Sequence, residues 1–424
     1  MKNKITCVVS CPCDTYSGYG RRALDFVKQL IKVKPDWDIK ILSQRWGDTR
    51  MGYLQDNEGW EIISRIVPNI MNKPDVWIQI TVPNEFQAVG RYNIGMTAAI
   101  ETNLCDVEWI KGCNRMDLVI ASSEHGRNSL VGTKYTNNAT GEELMVRVPV
   151  EVLFEGIDLS LFNKIENSKK SPVLADLKNA WNYLLVGHWL QGDYGEDRKN
   201  IAYTIRMFLE AFKDQKQAPG LIVKTSHATT SYMDQEDIIN RIHNICSMVQ
   251  YKESLPNIYL LHGDLTDEEL NGVYNDPRVK AMVSFTKGEG YGRPLAEFAM
   301  VGKPILVSGW SGHRDFLDEK HTAMVGGTLE KVHPSAVQPH MILAEASWFK
   351  PNDDQVIAGY REVYNNYENW LKKAEKQAKS LRVLKDMDAM GEEIEDLFGK
   401  YIPEFPTEVE LNLPKELLAD EEAK

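Results

Sequence analysis

Glu289 and Glu297 flank a glycine turn in the stretch KGEGYGRPLAEFAMVGKPILVSGW, Lys287 to Trp310. Gly290, Tyr291 and Gly292 lie between the two acids, and Pro294 follows. Proline in the first helical turn loses no hydrogen bond and glycine just past the end supplies a left-handed cap, so the spacing predicts a helix over Pro294 to Val301, closed by Gly302. The apolar runs AMVSFT and PILVSG on either side read as strands. A turn between strand and helix offers backbone N–H groups beside a positively polarised helix end, which favours an anion such as phosphate. Carboxylates accept hydrogen bonds from hydroxyls. Glu289 in the turn, and Glu297 expected to face out of the first helical turn, therefore add the means to hold a sugar or a ribose. Phosphate donors combined with hydroxyl acceptors suit a nucleotide-sugar, although the same spacing also fits a plain loop with solvated acids.

The elements that position this turn repeat along the chain. The strand ITCVVS is followed by the loop CPCDTYSGYGRR and the helical run RALDFVKQLIKV, and then by DIKILS, DVWIQIT, YNIGMTAAI and MDLVIAS. A charged stretch, Asn163 to Ala180, breaks the pattern. The second half restarts with WNYLLVGHW, the helix NIAYTIRMFLEAFKDQ, and then GLIVKTS, NIYLLHG, AMVSFT and PILVSG. Alternating strands and helices imply parallel sheets that bind ligands at the carboxyl ends of their strands. The expected fold class is α/β, with two doubly wound, Rossmann-like domains facing across a cleft. The expected boundaries are residues 1–165 for an acceptor-binding domain, 166–180 for a linker, 181–385 for a nucleotide-sugar-binding domain, and 386–424 for a C-terminal helix and acidic tail that packs back on the first domain or lies exposed.

Arg198 and Lys199 stand just ahead of NIAYTIRMF. There their charges add to the positive helix end, which is unfavourable for stability alone and understandable if an anion occupies the site; the alternative is a solvated charge pair.

Composition sets limits. The chain has 424 residues, 43% hydrophobic and 26% charged, enough for two ordinary cores. The net charge of −12 speaks against broad attachment to nucleic acid or anionic lipid, while leaving room for a local basic groove at GYGRR, Arg91 and Arg127. No apolar run approaches a membrane span, and the first residues lead into a polar loop rather than a signal segment, so the expected location is cytoplasmic. Cys11-Pro-Cys13 lacks a second close pair, so the six cysteines read as structural thiols. Asp36 with Asp38 and Asp386 with Asp388 are the Asp-x-Asp triplets, and neither sits after a strand as a metal pair would; the expectation is no metal.

Several segments in order resemble a family. LLVGHWLQGDYGEDRKNI is similar to a strand, glycine and basic-pair segment of the retaining glycosyltransferases of family 4. IYLLHGDLTDEELNGVYNDPRVKAMVSFTKGEGYGRPLAEFAMVGKPILVSGWSGHRDFL resembles that family's block with two glutamates separated by seven residues, and FEGIDLSLF resembles the end of its first domain. The resemblance implies the GT-B fold. It also implies that Glu289 bonds the donor sugar's hydroxyls, that the N–H groups of Gly290, Tyr291 and Gly292 meet sugar and diphosphate, and that Glu297 binds the ribose. Lys199 and Arg198 would neutralise the diphosphate, so that no metal or other cofactor is needed beside the nucleoside-diphosphate sugar.

His188 stands where the family often has arginine, which shifts weight onto Arg198 and Lys199. Gly18 and Gly20 resemble the glycine loop beneath the donor phosphates, with a simple turn as the alternative. Glu101 and Thr102 stand where many members carry His-Thr; Glu101 is no cation at neutral pH and would orient an acceptor hydroxyl, or else be an exposed strand-end acid. The implied reaction is front-side transfer with retention. The acceptor is open among a glycan or lipid-linked saccharide, a small metabolite, and a hydroxymethylated pyrimidine of phage-type DNA. A phosphorylase, an epimerase of the same fold and a non-catalytic sugar-nucleotide binding module are the rival readings.

Overall fold

The computed structural model describes residues 4–57, 59–190, 194–227 and 230–405. Two six-stranded sheets organise them, and every strand pairing within both is parallel. The first runs in the order Asp38–Ser43, Thr6–Cys11, Val76–Ile80, Tyr92–Thr97, Leu118–Ala121 and Val150–Val152. The second runs Ile258–Leu261, Gly220–Lys224, Asn182–Val186, Val279–Ser284, Ile305–Ser308 and Ala323–Val325. Strands buried on both faces explain the near-continuous apolar runs: Val9, Ile41, Ile78, Ile94 and Ile120 fill the first core, and Leu184, Ile222, Met282 and Leu306 lie buried in the second sheet.

In the second sheet the winding reverses between Asn182–Val186 and Val279–Ser284. Loops leaving the carboxyl ends of two such neighbours diverge to opposite faces and open a crevice, the usual ligand position in a doubly wound sheet. The Arg198–Lys199 pair and the Glu289 turn both follow those two strands.

The expected linker is no free hinge. Arg278 Nη1 donates to the Leu177 carbonyl at 3.1 Å and Nη2 to that of Leu174 at 3.0 Å, while the Ser171 N–H donates to Asp276 at 2.8 Å. The helix Met387–Tyr401 crosses back to the first domain, where Phe398 stacks on Trp37 at 6.0 Å between ring centres and Lys32 pairs with Asp388 at 2.6 Å. Asp386 is its N-cap, accepting from the Ala389 N–H, and Asp38 pairs with Lys40. The acidic tail lies outside the described residues. An antiparallel hairpin not apparent in the sequence, Gly327–Lys331 with Ser347–Pro351, flanks the cleft and bonds to Asn103 of the first domain. All six cysteines are free thiols, five of them buried.

Candidate functional site

The turn from Lys287 to Gly292 begins where the strand Val279–Ser284 ends, and it leads into the helix Arg293–Val301. Pro294 lies in the first turn and Gly302 caps the end at φ +84°, as the punctuation predicts. Gly292 takes φ +97° as the N-cap, a left-handed backbone that only glycine adopts cheaply. The 3₁₀ turn Gly312–Asp315 supports it from below: the Gly312 N–H donates to the Glu289 carbonyl at 3.0 Å, and the Glu289 N–H donates to Ser311 Oγ at 2.9 Å.

Gly288 and Gly290 lie at one of the places where the two domains touch. A Cβ on Gly288 would come within 1.9 Å of the Glu101 carbonyl oxygen, and one on Gly290 within 2.6 Å of that of Ala98. Ser123 Oγ, at the start of the helix Glu124–Gly132, donates to the Gly290 carbonyl at 2.5 Å. These glycines therefore admit the backbone of the first domain.

Glu289 is buried, and Lys199 Nζ reaches both of its carboxylate oxygens, at 2.7 and 2.8 Å. Burial alone would raise its pKa, but Lys199 and then Arg198 outweigh that and hold it below the usual carboxylate range. Arg198 Nη1 lies 3.2 Å from Glu101 and 3.8 Å from Glu289, and donates to the Gly288 carbonyl at 2.9 Å. Four of the expected site residues, Glu101, Arg198, Lys199 and Glu289, thus form one charge cluster across the cleft.

Contrary to expectation, Arg198 and Lys199 do not stand as unfavourable charges at an unoccupied helix end. Asn200, in a left-handed conformation, begins the helix Ile201–Phe212, and the Asp197 carboxylate accepts from the N–H groups of Lys199 and Ile201 at 3.0 Å each. With Asp197 at the helix end and Glu289 and Glu101 on the side chains, neither cation is an uncompensated charge.

Glu297 also departs from expectation, because it is buried and does not face out. Arg293 Nε donates to it at 2.9 Å, and Tyr274 OH approaches at 3.4 Å. Burial pushes its pKa up to about 7 against the opposing pull of Arg293 and Arg21.

The remaining candidates sit around this centre. His188 follows the strand Asn182–Val186 with Nδ1 at 3.2 Å from Ser226 Oγ, and burial, then Lys199 and Lys224, lower its pKa. Gly18 opens the helix Gly18–Val33, and the Gly20 N–H donates to the Ser17 cap at 2.9 Å. A Cβ on Gly20 would lie 2.3 Å from the Thr15 carbonyl oxygen, so this glycine is needed for a tight turn, whereas Gly18 has open space. Tyr291 is buried, its ring packed against Phe316.

Other groups at the site escaped the sequence reading. His313 is fully buried beside the turn, donates from Nε2 to the Ser308 carbonyl at 2.7 Å, and leaves Nδ1 without a hydrogen bond. His125 of the first domain packs edge-on to Trp310 at 4.6 Å, and burial lowers its pKa to about 4, so it stands neutral at pH 7. Arg293 reaches Asp25, and Asp25 also meets Arg21 at 3.3 Å. A single histidine or arginine in a sequence carries no such signal; only the fold brings these groups together. Among the described residues, no three His, Cys, Asp or Glu side chains converge in a manner that would hold a metal.

No protein-family model matches the chain. No curated protein matches it either. Solved structures do. HepE of Anabaena, in complex with UDP and glucose, superposes with a TM-score of 0.62 over 93% of this chain and 100% of its own at 10% identity. A glycosyltransferase of Rickettsia africae gives 0.63 over 95% and 100% at 10% identity. Sucrose-phosphate synthase of Thermosynechococcus elongatus gives 0.58 over 94% and 99% at 12% identity. At such identities the likeness is one of architecture, and it is to the two-domain GT-B fold.

Proposed function

We propose that the chain is a retaining glycosyltransferase of the family 4 type, which moves a sugar from a nucleoside-diphosphate sugar to an acceptor hydroxyl. The observation that carries this reading is the cluster of Lys199, Arg198 and Glu289 at the crevice where the second sheet reverses its winding. Relatives in fold include HepE, solved with UDP and with UDP-glucose, which supports a nucleotide-sugar as donor.

In this reading the diphosphate enters beside Lys199 and Arg198 and competes for them with Glu289 and Glu101. Two fixed cations in a partly buried site stabilise the negative charge that grows on the leaving diphosphate. This takes the place of a divalent metal. Glu289, relieved of part of its pairing, accepts from the donor sugar's hydroxyls. Glu297, poised to titrate near neutrality, accepts from or donates to the ribose. The N–H groups of Tyr291 and Gly292 face the phosphates at the start of the helix Arg293–Val301, and Gly18 with Gly20 passes beneath them. Glu101 orients the acceptor hydroxyl, and the leaving phosphate oxygen takes the proton in a front-side displacement. Contacts of the first domain with Gly288 and Gly290 bring the two domains together and limit water, hence donor hydrolysis.

The acceptor is a glycan, a small molecule or a lipid-linked saccharide, and the working location is the cytoplasm. Among the described residues no helix is long and apolar enough to cross a membrane. A panel of nucleotide-sugars, read by the nucleoside diphosphate released in the presence of EDTA, tests the proposal. Release from one donor by the wild type and its loss in Glu289→Ala supports it; no release from any donor, or release that requires added magnesium or manganese, contradicts it.

A further inference from the structure

The pairing of Arg198 with Glu101 joins two domains through a single guanidinium. Glu101 comes from the corner that follows the strand Tyr92–Thr97 of the first domain, and Arg198 from the loop before the helix Ile201–Phe212 of the second. That corner is built with strain: Ala99 takes φ +58°, a left-handed backbone that a non-glycine residue rarely adopts. Gly126 stands against it, since a Cβ there would lie 2.9 Å from the Ala99 side chain. The corner is further pinned by Tyr19, whose hydroxyl accepts from the Ala98 N–H at 2.9 Å and lies 3.0 Å from Thr97 Oγ1. Such a corner fixes where the Glu101 carboxylate sits.

The carboxylate approaches Arg198 Nη1 to 3.2 Å, and the side chains remain 26% and 27% exposed. Lys199 and Glu289 are more enclosed, at 21% and 10%. A partly exposed ion pair at this distance separates at modest cost. Carboxylate and phosphate bind a guanidinium through the same charge-assisted geometry, and a phosphate offers more oxygen acceptors.

We propose that Glu101 is an internal placeholder for the donor's phosphate: it holds Arg198 in the cleft of the empty protein and yields the guanidinium when a nucleoside diphosphate arrives. This rests on the nucleotide-sugar reading above. The placeholder keeps the cation positioned and its charge compensated while the cleft is empty. It also competes with the ligand, so its removal strengthens phosphate binding, whereas removal of an ordinary supporting residue weakens it.

The test is calorimetric titration of the full chain with UDP, GDP and ADP in turn, for wild type, Glu101→Gln, Glu101→Ala, Arg198→Ala and the Glu101→Gln/Arg198→Ala double variant. Both Glu101 substitutions are expected to tighten the preferred diphosphate by about two- to fivefold, the scale of releasing a partly exposed ion pair. In the Arg198→Ala background the Glu101→Gln change is expected to do nothing, because the contested cation is gone. Unchanged or weaker binding in both Glu101 variants, or the same gain with and without Arg198, overturns the placeholder while leaving the donor site standing. Failure of the wild type to bind any of the three diphosphates removes the donor reading itself and the placeholder with it.

Discussion

Arg293 ties the two domains together through Asp25. Its Nη2 donates to the Asp25 carboxylate at 2.5 Å while its Nε donates to Glu297 at 2.9 Å, and all three side chains are at most 10% exposed. One guanidinium thereby joins the helix Gly18–Val33 to the helix Arg293–Val301.

Arg293→Ala leaves two buried acids without their shared partner. Breaking a buried pair from one side costs about 3 kcal/mol or more, because the surviving charge stays desolvated. Arg293→Lys is expected to restore little, since an ammonium does not reproduce the planar fork that serves both acids. Urea unfolding of the three proteins checks both statements; a lysine variant as stable as wild type would show that charge alone suffices.

Glu297 predicts a pH dependence of stability. Its folded pKa of about 7 lies above the value for an unfolded glutamate, so the folded state holds the proton more tightly. Stability is then greatest below the unfolded pKa and falls as pH rises from about 4.5 to 7. A contribution of about 2 kcal/mol is expected over that interval, discounted for its coupling to Arg293. Glu297→Gln should flatten this part of the stability profile, which chemical denaturation at a series of pH values reads directly. An identical slope in both proteins would mean that the carboxyl titrates normally.

How much of this was legible depends on sequence distance. The helix after the Glu289 turn was readable because Pro294 and Gly302 punctuate it locally, and the strands were readable because burial on both faces leaves continuous apolar runs. Asp197 is in plain view in the sequence, but the helix dipole alone does not show that its carboxylate accepts from the Lys199 and Ile201 N–H groups and so offsets the charges of Arg198 and Lys199. Glu297 reads as outward-facing because its neighbours on the helix do not reveal Tyr274, which meets it, or Asp25, which holds its partner Arg293 from the first domain. Gly290, Tyr291 and Gly292 read as a phosphate cradle; that Gly290 and its neighbour Gly288 admit the backbone of residues 98–101 is a long-range packing fact which no local pattern encodes. The hairpin at Gly327–Lys331 lacks a tight-turn signal, since the residues between its strands form a small apolar cluster of their own around Val332, Ala346 and Trp348.

Gly288→Ala should separate domain contact from domain stability. The three atoms nearest to the added carbon all belong to Glu101: its carbonyl oxygen at 1.9 Å, the corresponding carbon atom at 2.9 Å and Cβ at 3.0 Å. Each domain is expected to keep its fold, because the atoms nearest to the added carbon belong to the other domain. Sugar transfer is expected to fall by about a hundredfold, the scale that follows when reacting groups are displaced by about an ångström. Activity assays beside thermal melts decide it: activity near wild type would show that the 98–101 contact is dispensable.

Lys199 is expected to matter for both stability and ligand binding. Its removal leaves the buried Glu289 carboxylate with Arg198 as its remaining ion-pair partner, at 3.8 Å. Lys199→Ala should therefore lower the ligand-free melting temperature, by an amount equivalent to about 1 to 3 kcal/mol. Differential scanning calorimetry of the empty proteins measures it, and an unchanged or higher melting temperature would show that Glu289 does not depend on this lysine.

The central claim is that the crevice between Lys199, Arg198 and Glu289 receives a nucleoside diphosphate. Calorimetric titration of wild type and Lys199→Ala with UDP, GDP and ADP tests it most directly. The account predicts saturable binding of at least one diphosphate to the wild type and a loss of about 1.5 to 3 kcal/mol of that affinity in the variant, the worth of a charge-assisted hydrogen bond to phosphate. Equal affinity in the two proteins, or no binding by either, would contradict it.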